Sequence, residues 1–164
     1  MADILVLTTG GTIDKLYFDA LSEYQVGDSV VGQLFAMARV TQDVRIESLM
    51  RKDSLELTET DRAVIMNAAA AAPETRILIT HGTDTMAETA RALAADPRLA
   101  AKTIALIGAL APARFAESDA AFNLGMGLAT VQVAKPGVWI AMNGTVFAGD
   151  KVRKDRSKGG FVAL

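Results

Sequence analysis

Ile4-Leu5-Val6-Leu7-Thr8-Thr9-Gly10-Gly11-Thr12-Ile13-Asp14 is an apolar run that stops abruptly in threonines and paired glycines. Ile4 to Leu7 has no polar residue at either parity of a strand, so it reads as a strand buried on both faces, as in a parallel sheet. Arg76 to Thr85, RILITHGTDT, repeats the plan: an apolar run, then Gly82-Thr83, with Asp84 directly after.

Working outward from these two stretches, strands alternate with helices. Val44 to Leu49 and Thr103 to Ile107 are further strands, and Gly137 to Met142 a fifth. Helical spacing marks Ser29 to Val40, an alanine-rich segment ending at Ala72 before Pro73, and Thr85 to Ala95 before Asp96-Pro97. Thr58 with Asp61 forms an N-terminal capping signature. The stretch from Glu117 to Val133 is a helix with a Ser or Asp cap, in which close packing would account for Gly125 and Gly127. Asn143-Gly144 between two apolar runs signals a type I′ hairpin. The charged segment from Asp150 to Lys158 reads as a loop, after which Phe161 to Leu164 re-enters the fold. The expectation is a single α/β domain over residues 1–164: three layers, a doubly wound, mostly parallel sheet, and a C-terminal hairpin.

In such sheets ligands bind beyond the carboxyl ends of the strands, and both Gly-Thr pairs fall there. Thr12 and Thr83 are thus expected on one rim. The residues from about Thr9 to Asp28 form a long connection with Tyr17, Phe18 and Tyr24, the kind of loop that serves as a lid.

Composition excludes several classes. The net charge is −2, which argues against a nucleic-acid binder living off a basic surface. With no cysteine and one histidine, a structural zinc site is not expected, and no metal or other cofactor is called for. No apolar stretch approaches bilayer-spanning length, and Met1-Ala2-Asp3 runs straight into a strand with no basic leader, so the expected location is the cytoplasm.

TTGGTIDK lacks the spacing of a P-loop, and Gly10-Gly11 is followed by an aromatic loop rather than the helix of a dinucleotide fingerprint. Chemistry at a hydroxyl fits better. A threonine needs a base and an oxyanion stabiliser, and glycine amides approach a substrate closely. Either Gly-Thr pair alone is more often a turn; two on one rim, one followed by Asp84, favour a site. His81 stands as a general base or as the residue that holds the loop in shape. The second reading is preferred, because no Ser or Cys motif surrounds it.

Thr9 to Asp14 (TGGTID) and His81 to Met86 (HGTDTM) resemble the two signature stretches of bacterial-type L-asparaginases and related amidohydrolases. SEYQVG at Ser22 is similar to that family's lid, KDSLELT at Lys52 to its substrate-binding segment, and IGALAP, SDAAFNL and AMNGTVFAG to its later elements. The resemblance covers essentially the whole chain and implies residue roles. Thr12 is the nucleophile and Tyr24 orients it. Thr83 positions substrate or water and hydrogen-bonds Lys154, the family's lysine in preference to Lys151 or Lys158. Asp84 binds the substrate ammonium and Ser54 its carboxylate, with Leu55 and Gly82 beside them. Gly11 and Thr83 supply oxyanion N–H groups. L-asparagine becomes L-aspartate and ammonia through a threonine-linked ester, with slight glutaminase activity.

The resemblance also carries departures. It implies a short form without the family's second domain, which in the common homotetramer contributes an acid near the substrate amino group; either the site works without that acid or a dimer partner supplies a substitute, with Glu23, Glu56 and Glu117 as the options. Leu55 replaces a polar residue, and Glu56 stands where Asp or Asn is usual. A homodimer is the first expectation and a homotetramer the second, with a small-molecule substrate and neither nucleic acid nor membrane as partner. Two alternatives stay open: an amidase for another amide, and an inactive domain that binds or senses an amino acid.

Overall fold

The computed structural model describes residues 2–164; Met1, the first residue of the expected domain, lies outside them. The elements run β1 (Ile4–Gly10), β2 (Lys15–Phe18), β3 (Glu23–Val26), α1 (Val31–Met37), β4 (Val44–Lys52), α2 (Glu59–Ala71), β5 (Arg76–Thr80), α3 (Met86–Ala95), β6 (Thr103–Ile107), α4 (Ala120–Val133), β7 (Gly137–Met142), β8 (Thr145–Ala148), β9 (Val152–Asp155) and β10 (Gly160–Ala163), with short 3-10 turns between. The main sheet has the order β4-β1-β5-β6-β7-β8. Every pair in it is parallel except β7 with β8, which the Asn143-Gly144 turn folds back. Both turn residues have positive φ, 48° and 92°, as a type I′ turn requires.

β1 shows why its sequence is apolar at every position. Leu5 and Leu7 pack with Ile65 and Ala69 of α2 and with Met86, Ala90 and Leu93 of α3 on one face. Ile4 and Val6 pack with Val31 and Phe35 of α1 and Leu124 and Val131 of α4 on the other. Helices therefore cover both faces, and the expected three-layer, doubly wound sheet is what forms. β1 also lies between β4 and β5, so the chain leaves it toward one side of the sheet and returns on the other. The carboxyl ends of β1 and β5 consequently meet at the reversal of strand order, where such folds open a crevice.

Local signals explain the boundaries. Thr58 caps α2 in a full capping box with Asp61, a motif whose loss costs about 1 kcal/mol. A Cβ on Gly127 would lie 2.5 Å from Leu78 Cδ1 and 2.6 Å from Ile107 Cγ2, so α4 needs a glycine there to lie against the sheet. Gly125 differs: a Cβ there meets nothing within 4 Å, so close packing does not account for it. Ser118 Oγ accepts from Ala120 N at the start of α4, while Asp119 turns its carboxylate toward the preceding loop.

Three expectations need correction. β1 continues through Thr8 and Thr9 to Gly10, and β4 through to Lys52, because Thr8 stays in register with both Ser48 and Thr80 and Gly10 with Lys52. The long connection after Gly10 is not plain loop: β2 and β3 form a hairpin inside it, pairing Tyr17 with Tyr24. Asp150 to Lys158 is likewise not a loop. Its β9 pairs antiparallel with β10, Val152 is fully buried, and Gly159 turns the chain at φ 64°. Charge at the outward positions hid the strand.

Candidate active site

The first Gly-Thr loop leaves the sheet with Gly10 at φ 101° and Gly11 at φ 88°. Both values are costly for a residue with a Cβ. A Cβ on Gly11 would sit 2.5 Å from Gly82 N and 2.6 Å from Gly82 Cα, so the backbones of the two loops touch. Gly82 in turn lies against Ser54, whose Cβ and Oγ would each be 2.6 Å from an added Cβ. Glycine at both positions lets three segments converge.

The threonines of the first loop have different fates. Thr8 and Thr9 are buried in the sheet, and Thr9 Oγ1 donates to Thr80 O at 2.7 Å. Thr12 begins a short 3-10 turn, is half-buried, and opens onto a cleft of about 370 Å³ lined also by Lys15, Tyr24, Leu110, Pro112 and Phe115. Tyr24 is half-exposed on β3, its ring edge-on to Tyr17 at 5.5 Å and to Phe115 at 5.8 Å.

The second loop is tied down at nearly every residue. His81 is fully buried, with Nδ1 2.7 Å from Gly82 O and Nε2 2.8 Å from Thr89 Oγ1. Burial pushes its pKa down to about 4, so it is neutral near pH 7 and holds the loop in shape. Lys154, brought in by the β9–β10 hairpin, donates from Nζ to Thr83 Oγ1 and to Asp84 Oδ1, each at 2.7 Å. Arg156 also donates to Asp84 Oδ1 at 3.1 Å. The Lys154 hydrogen bond, with both cations, holds the Asp84 carboxyl below the usual range.

Ser54 is buried behind Gly82. Its Oγ accepts from Thr85 N at 3.3 Å, which leaves its own proton to donate, while Leu55 beside it projects outward and is exposed. Glu23 and Glu56 line a second cleft of about 460 Å³, on the flank of the hairpin, with Lys15, Tyr24, Arg51 and Asp53. Glu117 lines neither cleft and is exposed. Sequence reasoning missed Lys15, Leu110, Pro112 and Phe115 as walls of the Thr12 cleft and Arg156 as a partner of Asp84. An exposed phenylalanine in the β6–α4 connection was the available signal for the first group.

Thr12 faces its own cleft, while Thr83, Asp84 and Lys154 form one hydrogen-bonded cluster on the second loop; the two loops meet at Gly11 and Gly82, and the cluster residues are not among those lining the Thr12 cleft. Among the described residues no group of three His, Asp or Glu side chains is placed to hold a metal ion, and no helix is long and apolar enough to cross a membrane.

The chain is similar in sequence and fold to known asparaginases. The L-asparaginase of Thermococcus kodakarensis is 31% identical over 95% of the chain, and L-asparaginase 2 of Escherichia coli is 34% identical over 94%. The glutaminase-asparaginase of Acinetobacter glutaminasificans is 29% identical over 93%. The chain spans about half the length of these curated relatives, 48%, 47% and 49%. Among solved structures, the thermostable Thermococcus kodakarensis enzyme superposes with a TM-score of 0.84 at 29% identity, covering 98% of this chain and 51% of that one. A probable cytoplasmic L-asparaginase from Campylobacter jejuni superposes with a TM-score of 0.83 at 27% identity, covering 99% and 52%. The family model described as asparaginase, N-terminal, matches residues 3–160, and the chain belongs to the asparaginase family through that domain.

Proposed function

We propose that the Thr12 cleft hydrolyses the side-chain amide of L-asparagine to L-aspartate and ammonia. The observation that carries this reading is Lys154 Nζ, 2.7 Å from both Thr83 Oγ1 and Asp84 Oδ1, on a loop whose Gly82 touches Gly11. A binding site alone has no need for an amine tied to a threonine on a loop that touches the one carrying Thr12.

Thr12 Oγ1 attacks the amide carbonyl, and the Thr83 N–H group stabilises the oxyanion; Gly11 N–H, expected as a second donor, is instead committed to Lys52 O at 2.9 Å, because the β1–β4 pairing runs on into the loop. Tyr24 orients the attacking hydroxyl. The hydroxyl proton passes to the departing amide nitrogen, which leaves as ammonia, and the acyl group remains as an ester on Thr12. Water, positioned by Thr83, whose hydroxyl Lys154 holds, attacks that ester; its proton passes to Thr12 Oγ1 as the bond from that oxygen to the acyl carbon breaks, which releases aspartate and restores the hydroxyl. Asp84 pairs with the substrate ammonium, while Ser54 donates to its carboxylate beside Gly82; Leu55, expected as a further wall, projects outward and takes no part. Glutamine is a poorer substrate, although one methylene alone discriminates by only about 1–3 kcal/mol.

Ammonia release from L-asparagine that disappears in both Thr12→Ala and Lys154→Met is the expected result. Wild-type protein silent with asparagine, glutamine and D-asparagine would sink the proposal. The binding-only reading draws on one observation, the two cations already on Asp84; calorimetric binding of asparagine without turnover would favour it. The same proposal takes residues 1–164 as one working domain in the cytoplasm, a homodimer first and a homotetramer second. Sedimentation showing monomer alone at working concentration excludes both assemblies.

A further inference from the structure

The connection from β6 to α4 touches the β2–β3 hairpin or the residues that flank it at three consecutive positions. Ala113 N donates to Ile13 O at 3.1 Å. Arg114 Nη1 donates to Asp14 O at 2.9 Å and its Nη2 to Asp28 O at 3.1 Å. Phe115 meets the ring of Tyr24 edge-on at 5.8 Å. Asp14 immediately precedes β2 and Asp28 follows β3 by two residues, so one guanidinium spans both ends of the hairpin.

Those ends are also joined directly. Gly27 N donates to Asp14 O at 2.9 Å, and Val30 N to Asp14 Oδ1 at 3.0 Å. The connection that carries Arg114 is itself braced. Asp119 accepts from Leu110 N and Ala111 N, and from the side chains of Asn123 and Asn143, at 2.8–3.1 Å. Ser118 Oγ donates to Ala111 O at 2.9 Å. A fixed arm thus grips a hairpin whose own strands are short and mostly exposed.

We propose that Arg114 is a positioning residue: its two-pronged hold on Asp14 O and Asp28 O keeps the hairpin closed, so that Tyr24 stands in the Thr12 cleft. A guanidinium suits this task because its donors diverge in a fixed plane, whereas an ammonium is a single point. Arg114 is exposed, so its removal opens no cavity and leaves the core intact. The catalytic consequence rests on the reading of the cleft as an amidohydrolase site; the grip on the hairpin does not.

Hydrogen exchange separates the two. Amides of residues 15–26 in Arg114→Ala are expected to exchange about tenfold faster than in wild type, with Arg114→Lys recovering only part of the protection and the amides of α2 unchanged. Equal exchange of residues 15–26 in wild type and Arg114→Ala overturns the proposal, whatever the enzyme's activity. In turnover of L-asparagine, Arg114→Ala is expected to lower kcat about tenfold, and to lower it much less when introduced into Tyr24→Phe, because both act through the Tyr24 hydroxyl. Full additivity of the two substitutions overturns the link to Tyr24. Absence of turnover in wild type fails the amidohydrolase reading and leaves the exchange result to decide the clamp.

Discussion

The two Gly-Thr loops end neighbouring strands of one sheet, yet they are built in opposite ways. Gly10-Gly11-Thr12 has a half-buried hydroxyl facing a cleft, under a hairpin held from outside. His81-Gly82-Thr83-Asp84 is bound on all sides: His81 to Gly82 and Thr89, Thr83 and Asp84 to Lys154, Asp84 also to Arg156. Similar motifs therefore hold different jobs. In the proposed mechanism the first loop supplies the reacting atom, and the second is a rigid template against which the reaction is aligned.

The contrast is most exposed to attack at the hydroxyls. Thr12→Ala is expected to lower kcat at least about 10³-fold with an unchanged melting temperature, since the proposed mechanism makes its hydroxyl the bond-forming atom. A Thr12→Ala enzyme that keeps a tenth of its turnover would break the comparison.

The rigidity of the second loop has a pH signature. His81 has its pKa depressed from 6.5 to about 4, so the unfolded state binds the extra proton first. Its contribution is present above pH 6.5 and is lost as pH falls toward 4, by about 3 kcal/mol in all. Urea titrations at pH 7 and pH 4.5 are expected to show wild type losing more stability than His81→Gln. Asp14, beneath the hairpin, runs the other way. Burial raises its pKa from 3.8 to about 6, against the pull of Val30 N and Arg114. Its protonated form favours the fold below pH 3.8, and that benefit disappears as pH rises through 6, so Asp14→Asn is expected to lose less stability than wild type over that rise. Equal slopes in wild type and variant would remove either group from the account.

Contact between the loops is tested at Gly11. At φ 88° and ψ −175°, with Gly82 backbone in the way, Gly11→Ala is expected to cost about 1–3 kcal/mol in chemical denaturation and to lower turnover as well. The smallest expected effect has the opposite sign. Gly125→Ala, exposed on α4 with space for a Cβ, is expected to gain about 1 kcal/mol and leave turnover untouched. A loss of stability there would mean that α4 is packed differently.

Most of the fold could be read from the sequence because its signals are local. Residues Ile4 to Leu7, buried on both faces, announce a central parallel strand, and Asn143-Gly144 announces a hairpin. β9 and β2–β3 escaped because their partners lie beyond such signals. In Val152 to Asp155 only one side chain is fully buried, and the alternation drowns in charge. The rim that joins Thr12 to Thr83 was legible, since strand ends of a parallel sheet must coincide. The grip of Arg114 was not, because it spans 100 residues to Asp14 and 86 to Asp28, and it binds backbone oxygens that carry no sequence identity.

The central claim is that Thr12 reacts and Thr83 aligns. Acid-quenching the protein during turnover of L-asparagine, followed by digestion and peptide mass spectrometry, tests it directly. The account expects an aspartyl ester on the peptide containing Thr12, localised to that residue and absent in Thr12→Ala. An aspartyl adduct on Thr83 would contradict it, as would ammonia release that continues in Thr12→Ala.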